Sequence, residues 1–590
     1  MMHKIVSCVL FLTVAALAQN HLEIIYPEND QQIAAVDSTF IFGNTNPKAK
    51  LLINGEEIKV HKDGGFLAFL PVDRGAFKFN IISDLESDIC ATTVNIQIGP
   101  IKDDSEKYVR HSSITPAGRT VLLTDGAFEF SLKAKTAGQV YCSFIDGVWR
   151  PMYPGLRPES VEYYETSAGD ADFITFAVKL QVNDIIDSSR VYYLYEEDYF
   201  DSNGVYLCSE FEIDSTDFYI VRTDDYPSRV LRLTGRPHII RTAPGKGYKL
   251  VNQPAGVKFI YAGESQDCYR VKLTDDITGY VRKSDARLEP LGTAIPKGEV
   301  SRIAVDDFPK YVQISMKIED QLPYEIHTDG SLMTVDIYGL NSDTDWIRFN
   351  GSQDYIKSLW WTQPQDGVYR LNIHWYDNHF WGYNCFYEGK GFVLRLKKRL
   401  YQKRFFRSPV EGLKIVIDPG HSHDAGAKGP TGLKEKDANL WIAHELRQIL
   451  MSKGAEVLMT RMGHEHLEVY DRVDIATKWD ADLLISIHNN AVPDGVNPFV
   501  HNGSSVYYYF DQARPLAEAI HKHLLKATKL PDHGLYYGNL ALCRVTDCPA
   551  VLVECAFMMI PEQEAMLKTD KFQRKCAKAI YKGICDYLRE

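Results

Sequence analysis

The texture of the sequence changes at Pro409, and that change bounds what the chain can fold into. From about residue 22 to 400, short alternating or β-branched runs such as TFIFG, AKLLING and GGFLAFLPV are broken by Gly, Pro, Asn and Asp, the pattern of strands and turns. Beyond Pro409 the hydrophobic runs KIVID, AEVLM, LLISI, SSVYYY and AVLVE are separated by longer segments of helical period. Leu440, Ala443, Leu446 and Leu450 mark one helix face, and Leu516, Ile520, Leu524 and Leu525 another. Strands that alternate with helices predict an α/β layer fold with a largely parallel sheet. A chain of 590 residues, at roughly 150 per domain, is multidomain. The expected fold class is a series of β-sandwich or β-barrel modules followed by that C-terminal α/β domain.

Composition removes some functions before any motif is read. The chain is 45% hydrophobic and 24% charged, enough apolar material for packed cores throughout. With 66 basic against 78 acidic side chains the formal charge is −12, so the uniform positive field that polyanion binders use is missing and nucleic acid is not an expected partner. At the N-terminus, Lys4 precedes the apolar run IVSCVLFLTVAALA, and Ala16 and Ala18 flank Leu17. Residues 1–18 therefore read as a signal peptide. A lipobox ending at Cys8 is the weaker reading, because most of the apolar run follows it. No later run reaches the ~20 uncharged residues of a spanning helix. The expectation is no integral membrane segment after cleavage and a secreted, periplasmic or wall-associated protein. The ten cysteines from Cys90 to Cys585 are scattered singly, and inert buried thiols are the default reading.

The upstream region divides into modules. Residues 20–100 carry a G-x-x-x-P-x-A-x-L-x-x-N-G core and resemble bacterial immunoglobulin-like sandwiches. Residues 101–235 are β-rich without a motif. Residues 236–292, with R-T-A-P near the start and G-Y-V-R-K-S-D near the end, resemble a bacterial SH3-like module, a wall-peptide binder or a spacer barrel. Residues 293–402 hold Trp346, Trp360, Trp361, Trp375 and Trp381. Aromatics at this density more often fill the space between two sheets than form a glycan platform. This module loosely resembles the β-sandwich localisation domains of some wall amidases. A basic run from Arg395 to Arg407 reads as a solvated face leading into a linker at 403–411.

The final domain, 412–590, carries the chemistry. Ten of the eighteen histidines fall in its span. His421 follows KIVIDPG, His488 follows LLISI and Glu554 follows AVLV, so three strands each end in a metal-ligating or basic side chain. Ligands of open α/β sheets bind beyond the carboxyl ends of the strands. Two imidazoles and a carboxylate are the donor set of a catalytic zinc.

VIDPGH, GLKEKDANL, SIHNN and PAVLVECAF, in this order, are similar to the zinc-dependent N-acetylmuramoyl-L-alanine amidases that cleave peptidoglycan. The resemblance implies that His421, Glu435 and His488 hold Zn2+ and that Glu554 is the catalytic acid/base. It makes Asp418 an organiser of the His421 loop, and it leaves Arg461 explained equally well by a structural salt bridge. The implied partners are glycan strands and stem peptides, with the upstream modules holding the enzyme on the wall and taking no part in catalysis. A protein activator is compatible with the sequence but not required by it, because residues 511–534 have room for one helix and not for a second, occluding one.

Two departures stand out. Ser422 and His423 replace the family's usual glycines, adding bulk and a third imidazole beside the expected metal. Asn489 stands where a small residue is usual and is expected at the pocket rim. Two other readings stay open: an inactive wall-binding scaffold, and a zinc peptidase acting within the stem peptide.

Overall fold

The computed structural model describes residues 20–34, 36–99, 108–155, 173–185, 188–200, 206–222, 228–235, 238–351, 354–376, 380–399 and 408–589. The expected signal peptide at 1–18 and residues 403–407 of the expected linker lie outside the described residues. Among those described, no helix is long and apolar enough to cross a membrane.

Residues 22–98 form a three-stranded sheet, ordered Leu22–Tyr26, Ser38–Thr45, Gly65–Pro71, and a five-stranded sheet that includes Gly75–Leu85 and Asp88–Ile98. Successive side chains of a strand point to opposite faces. Phe66, Ala68 and Leu70 accordingly join Ile41, Ile53, Phe79 and Ile81 in one core. The other face of the three-stranded sheet, Phe40, Phe42 and Leu67, packs on Val492, Val496, Phe557, Met559 and Ile560 of the C-terminal domain. Asp494 fixes that contact, accepting hydrogen bonds from Tyr26 Oη at 2.6 Å and Thr39 Oγ1 at 2.5 Å. The module expected to serve only as an anchor therefore braces the domain that carries the candidate site.

Seven strands between Val109 and Asp217 build one sheet around Phe128, Phe130, Tyr193 and Tyr195, while Thr120–Leu123 pairs instead with Tyr219–Val221 and Lys258–Ser265. Val230–Leu233, on the near side of the expected boundary at residue 236, hydrogen-bonds to Lys258–Ser265 and Ala286–Leu288. Residues 298–397 form a five-stranded and a four-stranded sheet that share a core including Tyr369 and Trp375. Trp346 stays 71% exposed. Trp381 is buried with the C-terminal domain instead, where its Nε1 donates to Asp482 O at 2.8 Å. The basic run is not a solvated face where it is described: Lys397 pairs with Asp480 and Asp482, and Arg399 Nη2 donates to Tyr587 O. Cys90, Cys142, Cys268, Cys385, Cys543, Cys548, Cys555, Cys576 and Cys585 are free thiols.

The C-terminal domain runs β1 (Lys414–Pro419), α1 (Glu435–Ser452), β2 (Glu456–Met459), α2 (Val469–Lys478), β3 (Leu483–Asn490), β4 (Ser504–Tyr508), α3 (Arg514–Thr528), β5 (Asp532–Tyr537), β6 (Ala550–Phe557), α4 (Pro561–Leu567) and α5 (Asp570–Arg589). The sheet order is β2-β1-β3-β6-β4-β5. Only β4 and β6 pair antiparallel; the other neighbours run parallel. Ile415, Val416 and Ile417 of β1 are all fully buried, which is why the run reads as continuously apolar: helices and loops cover both faces of the sheet. Leu440, Ala443, Leu446 and Leu450 of α1 join Leu516, Ile520 and Leu524 of α3 in the main core, whereas Leu525 is only partly buried. Gly583 lets α5 come close to α3, since a Cβ there would lie 2.5 Å from Ile520 Cα. Between Asp511 and Asp532 the chain forms a short 3-10 turn and the single helix α3.

Candidate metal centre

His421 lies two residues beyond β1, Glu435 opens α1, and His488 and Glu554 occupy the carboxyl-terminal halves of β3 and β6. The sheet brings them together: β1 and β3 are neighbours, and His488 pairs in register with Glu554 across β3 and β6. His421 Nε2 lies 2.9 Å from Glu435 Oε2, and His488 Nδ1 lies 2.9 Å from Glu435 Oε1. Donor atoms of His421, Glu435 and His488 all fall within 4.8 Å of one another.

The surroundings fix these side chains. Asp424 Oδ1 sits 2.9 Å from His421 Nδ1, which directs the other ring nitrogen to Glu435, the usual arrangement behind a ligating histidine. Glu435 also accepts from Ala427 N, Asn489 N and Asn439 Nδ2. Burial opposes ionisation of Glu435, but the two imidazoles outweigh it and hold the carboxyl well below the usual range. Glu554 is driven the other way, by burial and by the charge of Glu435, and its Oε2 is buried without a hydrogen-bond partner. His421 adopts a left-handed backbone, φ 59°, a conformation a non-glycine residue keeps only where its surroundings enforce it.

Two glycines make room. A Cβ on Gly420 would lie 2.1 Å from His488 Nε2, and one on Gly426 would lie 2.5 Å from Glu435 Oε2. Beneath the loop, Asp418 accepts from Thr460, Ser486 and Arg472, and Arg472 also donates to Pro419 O and His421 O. Asp418 thus acts on the loop through Arg472. Arg461 makes no carboxylate hydrogen bond; its guanidinium donates to the carbonyls of Pro419, Gly420, Lys436 and Gly463.

The sequence reading missed three of these residues. Asp424 and Asn439 carry a weak local signal, a carboxylate three residues after His421 and an amide one helical turn after Glu435. Arg472 carries none, being held by contacts 54 residues distant. Two placements differ from expectation. Asn489 is 1% exposed and lies behind the candidate donor residues, its N–H donating to Glu435 Oε1 and its Nδ2 to Asn439 Oδ1, not at the rim. His423 lies against His466 instead of joining the other two imidazoles. A cleft of about 590 Å³ at the amino-terminal side of β6, lined by Tyr248, Tyr324, Tyr383 and Asp547, contains none of the four candidate residues.

An α/β domain presenting a His-Glu-His donor set and a neighbouring carboxylate at its strand ends is the class that fold and site define. The donor chemistry suits zinc, being two imidazoles and an ionised carboxylate in reach of one ion. Residues 415–586 match the N-acetylmuramoyl-L-alanine amidase family, and the chain therefore carries a domain of that family. It is 34% identical over 184 residues to the probable cell wall amidase LytH of Staphylococcus epidermidis, covering 31% of this chain and 60% of that protein. Against the Staphylococcus aureus protein of the same name the identity is 35% over 185 residues, with the same coverage, 31% and 60%. The chain thus spans 60% of the length of these curated relatives. Among solved structures, N-acetylmuramoyl-L-alanine amidase AmiC2 of Nostoc punctiforme aligns at 35% identity and a TM-score of 0.29, covering 30% of this chain and 99% of that one.

Proposed function

We propose that this chain is a zinc-dependent N-acetylmuramoyl-L-alanine amidase that hydrolyses the amide between the lactyl group of N-acetylmuramic acid and L-alanine in peptidoglycan. The observation that carries this reading is the convergence of His421, Glu435 and His488 beside Glu554 at the ends of adjacent strands. His421, Glu435 and His488 hold the ion, with Asp424 orienting His421. A bound zinc supplies Lewis acidity toward the scissile carbonyl and toward water. Glu554 accepts the proton of the attacking water and passes it to the departing amine nitrogen. Its unpartnered Oε2, and the raised proton affinity that burial and Glu435 give its carboxylate, suit a group that takes up a proton in one step and gives it back in the next. The protein works outside the cytoplasm at the wall, with the upstream immunoglobulin-like, SH3-like and aromatic-rich modules contacting glycan strands or stem peptides. No activator has to open the site.

The test is mass spectrometry of peptidoglycan digested by the full chain. Release of stem peptides with a free L-alanine amine, abolished by chelation and restored by zinc, is the expected result. Cleavage inside the stem would move the scissile bond and make the enzyme a peptidase. Glu554→Gln should lose turnover and keep zinc, whereas His421→Ala should lose both. Equal zinc loss in the two variants would make Glu554 a ligand.

A further inference from the structure

A second group of ligating side chains stands beside the first. The rings of His423 and His466 lie 4.2 Å apart, centroid to centroid, inclined at 42°. His466 Nε2 is 3.0 Å from Glu468 Oε1. Donor atoms of His423, His466 and Glu468 all fall within 4.8 Å of one another, and all three residues are exposed.

Glu468 is the N-cap of α2, and the chain just before it carries His466, whose ring nitrogen reaches the Glu468 carboxylate past Leu467. Ser422, 1% exposed, locks this segment to the loop of His423. Its hydroxyl accepts from Leu467 N and donates to Leu467 O, each at 3.3 Å, and lies 3.4 Å from His423 Nδ1. With the hydroxyl proton used on Leu467 O, Ser422 Oγ accepts from Nδ1–H, the tautomer that leaves His423 Nε2 a free lone pair. An oxygen acceptor behind the other ring nitrogen is the support that ligating histidines use, and here a hydroxyl stands in that place. As a stabilising device the cluster is worth little, because an exposed ion pair gains little over its two separately solvated charges. As a donor set it is the kind that zinc and its neighbours in the transition series bind.

We propose that His423, His466 and Glu468 form a second site for a borderline divalent cation, zinc foremost, distinct from the His421-Glu435-His488 centre. An ion there ties the loop between β1 and α1 to the segment that leads into α2. It leaves coordination positions open to water or to a carboxylate of a bound ligand. The proposal does not rest on the amidase reading, since it concerns occupancy and not turnover.

The experiment is equilibrium dialysis of the untagged full chain against graded zinc, with bound metal counted by mass spectrometry and folding followed by circular dichroism. Two equivalents are expected for the wild type. His466→Ala and Glu468→Gln, both at exposed positions, should each lose the weaker equivalent and keep the tighter one. His488→Ala should lose the tighter equivalent and keep the weaker. A single equivalent in the wild type that both rim variants keep, a second equivalent retained by both rim variants, or loss of both equivalents in either rim variant would each overturn the proposal.

Discussion

Arg472 and Asp418 form a buried ion pair, Nη1 to Oδ1 at 2.8 Å, with side chains 5% and 1% exposed, directly under the loop that presents His421. Breaking such a pair from one side strands a charge in the interior, which typically costs about 3–5 kcal/mol. Arg472→Met should therefore destabilise the C-terminal domain by about that amount, and it also frees the carbonyls of Pro419 and His421. Chemical denaturation checks the stability, and zinc affinity measured on the folded variant checks the loop. An unchanged unfolding midpoint would show that the pair is dispensable.

Gly420 and Gly426, beside the candidate centre, are predicted not to tolerate an added methyl group. Gly420→Ala drives a Cβ into the His488 ring, and Gly426→Ala meets Glu435 at a positive φ of 64°. Each should lower zinc affinity roughly 10–100-fold, the size of loss seen when the support of a ligand is disturbed. Competition with a zinc chelator reads this directly, and wild-type affinity in both variants would contradict it.

Asp547 sits where the aromatic-rich module meets the C-terminal domain, bonded by Asn384 Nδ2 at 2.6 Å and Thr477 Oγ1 at 3.3 Å. Burial pushes its carboxyl up to about 6, more than the opposing hydrogen bonds and Lys397 recover. A carboxyl raised in the folded state binds a proton that the unfolded chain has already released. Its contribution to stability is thus fully present below its ordinary value near 3.8 and is lost as pH rises through about 6. The slope is on the order of 1 kcal/mol per pH unit across that window. Asp547→Asn should flatten the stability of this junction between pH ~4 and ~6, which thermal melts at several pH values would reveal. An unaltered slope would place the pH dependence elsewhere.

Residues 408–590 alone should fold less stably than they do in the full chain. Removing the N-terminal module exposes Val492, Val496, Met559 and Ile560, and side chains of this size are each worth about 1.5–3 kcal/mol when buried. The fragment should bind an apolar dye and melt earlier than the same domain in the intact protein. Asp494→Ala in the intact protein should reproduce part of that loss, and a fragment as stable as the parent domain would refute the bracing role.

Much of the candidate centre was legible because its residues announce themselves locally. His421, His488 and Glu554 follow short, mainly apolar runs, and a buried parallel strand writes itself as such a run. Helix α1 was legible from the period of Leu440, Ala443, Leu446 and Leu450. Arg472 was not, because its partners are distant in the chain and α2 would read the same without them. Nor was the docking of the N-terminal module: Phe40 and Phe42 alternate with Ile41 as in any strand, and nothing local says that the second face is covered. Trp381 was misplaced for the same reason. A buried tryptophan in a β-rich segment reads as core of its own module, while its indole belongs to the next domain.

Tyr26 and Asp494 touch across 468 positions of sequence. A ribosome delivers Phe40, Phe42 and Leu67 early and their counterparts near the end, so a sticky face of the first module waits uncovered through most of synthesis. Domains made in sequence are most exposed to wrong partners during that interval. For this chain the hazard lies in a newborn protein whose first module can pair with the last domain of a neighbouring copy, an exchange that would link two molecules without altering a single contact.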